Sequence, residues 1–295
     1  MALDADFVQT ARHYFNPYTP SSGTEHVAVL LYALARMTRP QVVVEYGSGY
    51  STLWLLKALA ENRRDADEEH ELLVRKTART GILQKLSEQE AAKPFAEWDA
   101  QLKAATFEWF ATNDKSCGVD PRFHLTPHRP HVYSFEALPE PHPYPRRLSA
   151  AVEAMGLKEL FTLICGRQFS VDALPSEHRR IDWAWNDHTH YREFFTEFWE
   201  HLNPAGGIMV FHNVPGSPEA GEDLAWMKQQ RAGQGDLEVL VLEESHKLDQ
   251  KGCAILRRTS GYRPRHLAGN AAGVLNDLGL LVGGSPADHG KPPLA

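Results

Sequence analysis

The hydrophobic pattern of this chain is clearest at residues 42–59, where an apolar run is followed by a polar turn and then a leucine-rich segment. The run of Val42, Val43 and Val44 consists of β-branched residues, which is typical of a buried parallel strand. Leucines recur at helical spacing after the turn, and Ser51 is placed to cap that helix. The segment therefore predicts a strand, a tight turn and a helix.

Apolar runs of strand length recur along the rest of the chain. They predict strands at 131–136, at 160–165, from position 181 onward and at 208–213, and an antiparallel pair at 237–243 and 252–258. Segments with helical periodicity separate them, and the first of these follows a capping-box spacing at Ser22 and Glu25. The helical positions are Val27, Leu30, Leu31 and Leu34; Leu148, Val152 and Met155; and Tyr191, Phe194, Phe195, Phe198, Trp199 and Leu202. This alternation predicts an α/β fold with a mainly parallel sheet.

One connection is much longer than the others. Roughly 70 residues separate the first predicted helix from the strand at 131, where a few residues are normal. We expect a helical insertion at 61–130, acting as a structural cap, a dimer element or a lid. Helical spacing within it is seen at Phe95, Trp98, Leu102, Ala105 and Trp109. The predicted organisation is 1–60 for the N-terminal helices and first strand–helix unit, 131–259 for the rest of the sheet domain, and 260–295 for a C-terminal tail.

Composition narrows the class of protein. The 295 residues carry 38 acidic and 31 basic side chains, a net charge of -7, which argues against a nucleic-acid or anionic-membrane partner. Three widely spaced cysteines support neither a disulfide framework nor a zinc cluster. The start lacks the features of a signal peptide, and no apolar run is long enough to span a bilayer. We therefore expect a cytoplasmic protein.

The turn after the first strand carries the strongest chemical signal. Gly47 and Gly49 allow the backbone to approach a ligand closely. A dinucleotide-binding turn prefers a third glycine where this chain has Thr52, which disfavours a nicotinamide cofactor.

Residues 45–52 read Glu-x-Gly-x-Gly-x-Ser-Thr, which resembles motif I of class I S-adenosylmethionine-dependent methyltransferases, in a form typical of a small-molecule branch. The resemblance implies a Rossmann-like, doubly wound, seven-stranded sheet and S-adenosylmethionine as cofactor. It implies cofactor contacts from motif I, from a strand-end acid that binds the ribose, from a loop near adenine and from the fourth strand. The corresponding residues are Glu45, Gly47, Ser48, Gly49, Ser51 and Thr52; Glu136; Phe169 and Asp172; and Asp187.

Polar side chains follow the predicted fourth and fifth strands, where the family carries its catalytic segments. They are Asp187, His188, His190, His212 and Asn213. Groups beyond the carboxyl ends of strands at the switch point converge on the ligand crevice. A histidine near neutral pKa suits removal of the acceptor's proton. We favour His190 or His188 as general base, then His212, with Asp187 orienting a histidine or contacting the cofactor.

Two metal hypotheses are weaker. Some relatives bind magnesium through acids after strands four and five, but His212 stands where an acid is expected, and Asp187 with Asn213 supplies few hard ligands. A divalent metal is therefore conceivable but not favoured. The histidines at 124, 128 and 131 lie in a proline-interrupted segment, which favours a loop over a zinc site.

Together these features predict a methyltransferase acting on a small-molecule acceptor, with O-methylation preferred. The alternatives are N-methylation, a nicotinamide-dependent oxidoreductase and a non-catalytic binding or assembly protein of the same fold. Self-association through the insertion or the tail is a further expectation.

Overall fold

The computed structural model describes residues 5–18, 23–77, 97–98, 100–101, 104, 127–166 and 169–261. Its helices are α1 (Ala5–Tyr14), α2 (Val27–Thr38), α3 (Tyr50–Thr77), α4 (Pro143–Ala154), α5 (Tyr191–Phe198) and α6 (Pro218–Arg231). Its strands are β1 (Val42–Tyr46), β2 (His131–Glu136), β3 (Phe161–Cys165), β4 (Trp183–Asn186), β5 (Ile208–His212), β6 (Leu237–Leu242) and β7 (Cys253–Arg258). Within this part of the chain, no helix combines the length and hydropathy that a bilayer span requires.

The seven strands form one sheet in the order β3-β2-β1-β4-β5-β7-β6. Strands β1 to β5 are parallel, and β7 runs antiparallel between β5 and β6. The doubly wound α/β sheet predicted from the sequence is therefore confirmed. The strand order reverses between the parallel neighbours β1 and β4, so the crevice beyond their carboxyl ends is the expected ligand site.

Alternation along the strands explains how both faces of the sheet are buried. Val43 packs on one face with Leu31, Leu53 and other residues of α1 to α4. Val42 and Val44 point to the opposite face, which α5 and α6 cover. Because each face meets helices, the strand reads as a continuous apolar run rather than an alternating one.

Several element boundaries differ from the sequence prediction. Helix α2 begins at Val27 after His26, which makes no side-chain cap, and Glu25 instead pairs with Lys247 at 2.7 Å. Ser22 lies outside the described residues. Helix α3 begins at Tyr50, so Ser51 lies inside its first turn rather than capping it. Such tertiary contacts are invisible to a local capping rule.

The chain divides into two compact units, one of residues 1–64 and 129–263, the other of residues 65–128 and 264–295. The first contains the whole sheet. In the second, the described residues are mainly the end of α3, up to Thr77. Of the helical positions predicted in the insertion, all except Trp98 lie outside the described residues, as does the tail from 262 onward. The predicted cap or lid and the predicted domain boundaries stay predictions.

Candidate active site

A cleft of about 630 Å³ opens at the carboxyl ends of β1, β2 and β4. Gly47 follows β1, Glu136 ends β2, and Asp187 follows β4, and all three line this cleft. Strands β2, β1 and β4 are adjacent in the sheet. The fold therefore brings together three residues that are distant in sequence, at the reversal point where a doubly wound sheet binds its ligand.

The glycine turn packs tightly against its surroundings. Gly47 has φ +90, and a Cβ there would lie 3.1 Å from backbone atoms of Asp187. At Gly49 a Cβ would lie 2.5 Å from the hydroxyl of Tyr144, which donates to the carbonyl oxygen of Ser48 at 2.8 Å. Glycine at these two positions lets the turn approach β4 and α4 more closely than any other residue allows.

This packing predicts a non-additive pair of substitutions. Gly49→Ala should weaken cofactor binding about 10-fold or more, because the added methyl displaces Tyr144 and the turn. In Gly49→Ala/Tyr144→Phe the hydroxyl is gone and the nearest remaining atom lies 3.6 Å away, so the part of the loss caused by this clash should be recovered, whereas the strain of an alanine at φ +158 remains. Calorimetry with S-adenosylhomocysteine measures both. Additive losses in the double variant would show that the Tyr144 contact is not responsible.

Glu45 does not line the cleft; it is fully buried beneath hydroxyl groups. Thr52 and Ser134 donate to its Oε2 at 2.6 and 2.7 Å, and Ser51 to its Oε1 at 3.2 Å. Thr52 Oγ1 also accepts from the backbone N–H of Gly49 at 2.7 Å. Burial raises the pKa of Glu45 to about 8 against the opposing effect of the hydroxyl hydrogen bonds. Glu45, Ser51 and Thr52 therefore support the turn from below, and their contact with the cofactor stays a prediction.

Glu136 is placed as the sequence predicted, at the tip of β2 and on the cleft wall. Its Oε2 accepts from the Ser48 hydroxyl at 2.5 Å and its Oε1 from the backbone N–H of Leu138 at 3.0 Å. A carboxylate has about four acceptor positions. It can therefore keep such partners while accepting hydrogen bonds from a ribose diol.

Asp187 pairs with a buried histidine. Its Oδ1 lies 2.8 Å from Nδ1 of His212, whose side chain is 3% exposed. Burial lowers the pKa of His212, but the charge and hydrogen bond of Asp187 outweigh this and leave it raised. Asp187 lines the cleft and His212 does not, so the histidine lies behind the carboxylate.

Asn213, the residue after His212, already makes a structural hydrogen bond. Asn213 Oδ1 accepts from the backbone N–H of Lys251 at 3.0 Å. The Asp187 carboxylate is paired with His212, and the Asn213 amide is hydrogen-bonded to Lys251. These two groups do not make the oxygen-rich ligand set that magnesium requires. The residues present do not fit a magnesium ion after strands four and five.

The two candidate bases after β4 occupy different positions. His188 lines the cleft and packs on Tyr46 with ring centroids 4.9 Å apart. Its Nδ1 lies 3.0 Å from Thr189 Oγ1. His190 precedes α5 with a left-handed φ of 64 and is not among the cleft residues. The geometry therefore favours His188 over His190.

Other predicted positions are less well supported. Phe169 packs on Tyr46 at 4.7 Å without lining the cleft. Asp172 is exposed and pairs with Arg179 at 3.1 Å. His131 lies at the amino end of β2, where its Nε2 contacts Thr162. His124 lies outside the described residues. An adenine contact from Asp172 and a zinc site at 124–131 gain no support from this geometry.

Sequence reasoning missed an aromatic and basic wall. Phe15, Tyr144 and Arg147 line the cleft, and the Arg147 guanidinium lies 5.0 Å from the Phe15 ring and 5.1 Å from the Tyr144 ring. The proline-rich stretch at 139–145 signals only a chain break. The one signal in the sequence was the i, i+3 spacing of Tyr144 and Arg147, and this spacing does not identify Phe15, the residue after α1, as their partner.

Comparison with known proteins places these features in a family. The profile of the methyltransferase-domain family matches residues 44–214. A search of curated protein sequences finds no significant match.

Solved structures share the fold at low sequence identity. The tomaymycin-synthesis O-methyltransferase TomG of Streptomyces achromogenes, in complex with S-adenosylmethionine, is 16% identical with a TM-score of 0.52, covering 88% of this chain and 91% of its own. The O-methyltransferase of Bacillus cereus, in complex with S-adenosylhomocysteine, is 12% identical with a TM-score of 0.50, covering 88% and 92%. The S-adenosylhomocysteine-bound methyltransferase PaMTH1 of Podospora anserina is 12% identical with a TM-score of 0.52, covering 88% and 90%.

The matched profile spans more than half of the chain, from the last residues of β1 past the end of β5. The protein therefore belongs to the methyltransferase-domain family and has the fold of the class I S-adenosylmethionine-dependent methyltransferases.

Proposed function

We propose that the protein transfers a methyl group from S-adenosylmethionine to a hydroxyl oxygen of a small molecule bound in the cleft. The observation that carries this proposal is that Glu136, Asp187 and His188 line one cleft beside the glycine turn. Structural neighbours described as O-methyltransferases support oxygen over nitrogen as the acceptor atom.

The residues around the cleft suit the two ends of such a cofactor. Glu136 would accept from the ribose hydroxyls, and the turn at Gly47 and Gly49 would lie against the methionine part. Asp187 presents a carboxylate that attracts a sulfonium, and His212 holds that carboxylate at 2.8 Å. When bound, S-adenosylmethionine supplies an activated methyl group.

Little chemistry then remains for the protein beyond positioning and proton handling. A lone pair of the acceptor oxygen forms the new C–O bond as the S–C bond breaks, and the electrons of that bond stay on sulfur. His188 would take the hydroxyl proton. Its Nε2 makes no hydrogen bond to the described residues, so that nitrogen is free to accept it.

Calorimetry tests the cofactor part of the proposal. The protein should bind S-adenosylmethionine and S-adenosylhomocysteine and should not bind reduced nicotinamide dinucleotide. Binding of the nicotinamide alone would revive the oxidoreductase alternative. Binding of S-adenosylmethionine without turnover on any of a panel of phenols, catechols and hydroxy acids would favour the non-catalytic alternative.

Glu136→Gln should weaken S-adenosylhomocysteine binding by roughly 1–3 kcal/mol, the size of lost hydrogen bonds to a charged group. The amide keeps the shape of the side chain but loses the charge and half of its acceptors. Glu140→Gln is a matched control, because Glu140 is exposed and outside the cleft. Equal affinity in both variants and the parent would assign the ribose contact to another residue.

A further inference from the structure

Three side chains with metal-binding groups meet at a place that methyl transfer does not use. His26 precedes α2, while Glu244 and His246 belong to the connection between β6 and β7. One donor atom from each lies within 4.8 Å of the other two. The two imidazole rings meet edge to face with centroids 5.0 Å apart. The fold thus joins ligands that are more than 200 positions apart in the sequence.

The carboxylate of this group is held in place, and its two imidazoles are open. Glu244 Oε2 accepts from the backbone N–H of Gly252 at 2.8 Å, which fixes the carboxylate. Its Oε1 is buried and lies 3.0 Å from Nζ of Lys247. Neither imidazole hydrogen-bonds to the described residues, and both rings are exposed. A carboxylate held in place beside two imidazoles that have open nitrogens is a common arrangement around a metal ion.

We propose that His26, Glu244 and His246 bind a divalent ion of the zinc class. Two imidazole nitrogens and one carboxylate oxygen suit zinc, cobalt or nickel, whereas magnesium prefers oxygen ligands alone. Tetrahedral zinc ligands at about 2.0–2.2 Å from the metal lie roughly 3.4 Å from one another. Donor atoms already within 4.8 Å reach that geometry by small side-chain rotations, and water completes the fourth position.

Lys247 sets the charge of the site. Its Nζ lies 3.0 Å from Glu244 Oε1, 2.7 Å from Glu25 Oε1 and 2.8 Å from the carbonyl oxygen of Gly23. Two carboxylates and one ammonium leave a net charge of -1, which attracts a dication. The ammonium also competes for the same carboxylate oxygen and weakens the binding of the ion. The ion therefore shares Glu244 with a lysine that Glu25 and Gly23 hold in place.

An ion at this position would connect two segments at the rim of the cleft. Thr24 and Gln250, from the same two segments, line the cleft. Gly23 lies directly against Gln250, where an added Cβ would approach within 2.4 Å of the Gln250 Cβ. Tying His26 to His246 would hold these segments together, so the ion acts as a clip on the cleft rim. This role does not depend on which molecule is methylated.

Calorimetric titration of the metal-free full-length protein with Zn²⁺ tests the proposal. The parent should bind one equivalent that His26→Gln and His246→Gln each lose or bind at least 10-fold more weakly. His13→Gln, which removes an exposed histidine on α1, should bind like the parent. The comparison of variants also separates this site from binding by histidines elsewhere in the chain.

Two further measurements sharpen the result. Co²⁺ in place of Zn²⁺ should give the intense visible absorption of a tetrahedral site in the parent and in His13→Gln, but not in the two site variants. Zn²⁺ should raise the melting temperature of the parent and leave that of His246→Gln unchanged. No binding by the parent, or the same equivalent retained in both site variants, would overturn the proposal. A folded variant that binds S-adenosylhomocysteine normally rules out misfolding as the cause of lost zinc.

Discussion

Replacing His188 with alanine is expected to lower kcat by about 10²–10⁴-fold, the usual contribution of a positioned general base. His188 lines the cleft, whereas His212 is 3% exposed behind Asp187. The affinity for S-adenosylhomocysteine should change little, because the ring handles the acceptor's proton. Turnover of the best acceptor and calorimetry on the same preparation separate the two effects.

The matched control for this experiment is His190→Asn. His190 has the left-handed φ of 64, which asparagine tolerates better than most residues. That variant should keep kcat within a few-fold of the parent. Full activity in His188→Ala, or an equal loss in His190→Asn, would remove His188 as the base.

The second large effect concerns stability and pH. Burial raises the pKa of Glu45 from 4.5 to about 8, so the folded protein keeps this group protonated at neutral pH. The unfolded chain ionises it near its ordinary pKa. Between about pH 4.5 and 8 the unfolded state therefore binds fewer protons, and the free energy of unfolding falls as pH rises. The total contribution is on the order of a few kcal/mol.

Glu45→Gln removes this titration while keeping a neutral side chain of the same shape. Relative to the parent, the variant should become more stable by a few kcal/mol as pH rises from 5 to 8. Urea unfolding at several pH values measures the difference. Glu153→Gln, an exposed change on α4, should show no such trend. Parallel stability profiles for Glu45→Gln and the parent would mean that Glu45 is ionised in the folded state.

Much of the fold could be predicted because its causes are local. Burial on a sheet or a helix face produces a local sequence pattern. Such patterns are seen in the run of Val42 to Val44, in the spacing of the aromatic residues in α5 and in the terminal strand pair. The same holds for Glu136, since a residue that ends a strand must lie at that edge of the sheet. Predicted boundaries failed at Ser51 and Glu25, where contacts from other segments replace local capping.

The site is harder to predict because it depends on which segments converge. Sequence placed Glu45 at the cofactor, but three hydroxyls from α3 and β2 enclose it. It ranked His190 with His188, although only the latter lines the cleft. It could not pair Asp187 with His212, because that contact needs β4 and β5 to be neighbours. Whether the cleft residues bind cofactor stays a prediction for the experiments above.

The sequence by itself determined the order of strands and helices, the glycine turn after β1 and the strand-end acid, because periodicity and backbone freedom are encoded within a few neighbouring residues. Only the tertiary structure decided that Phe15, Tyr144 and Arg147 form a cleft wall and that His26 meets Glu244 and His246. These contacts join residues that are far apart in the chain. Their distances are set by how the sheet and its connections pack, which no local pattern records.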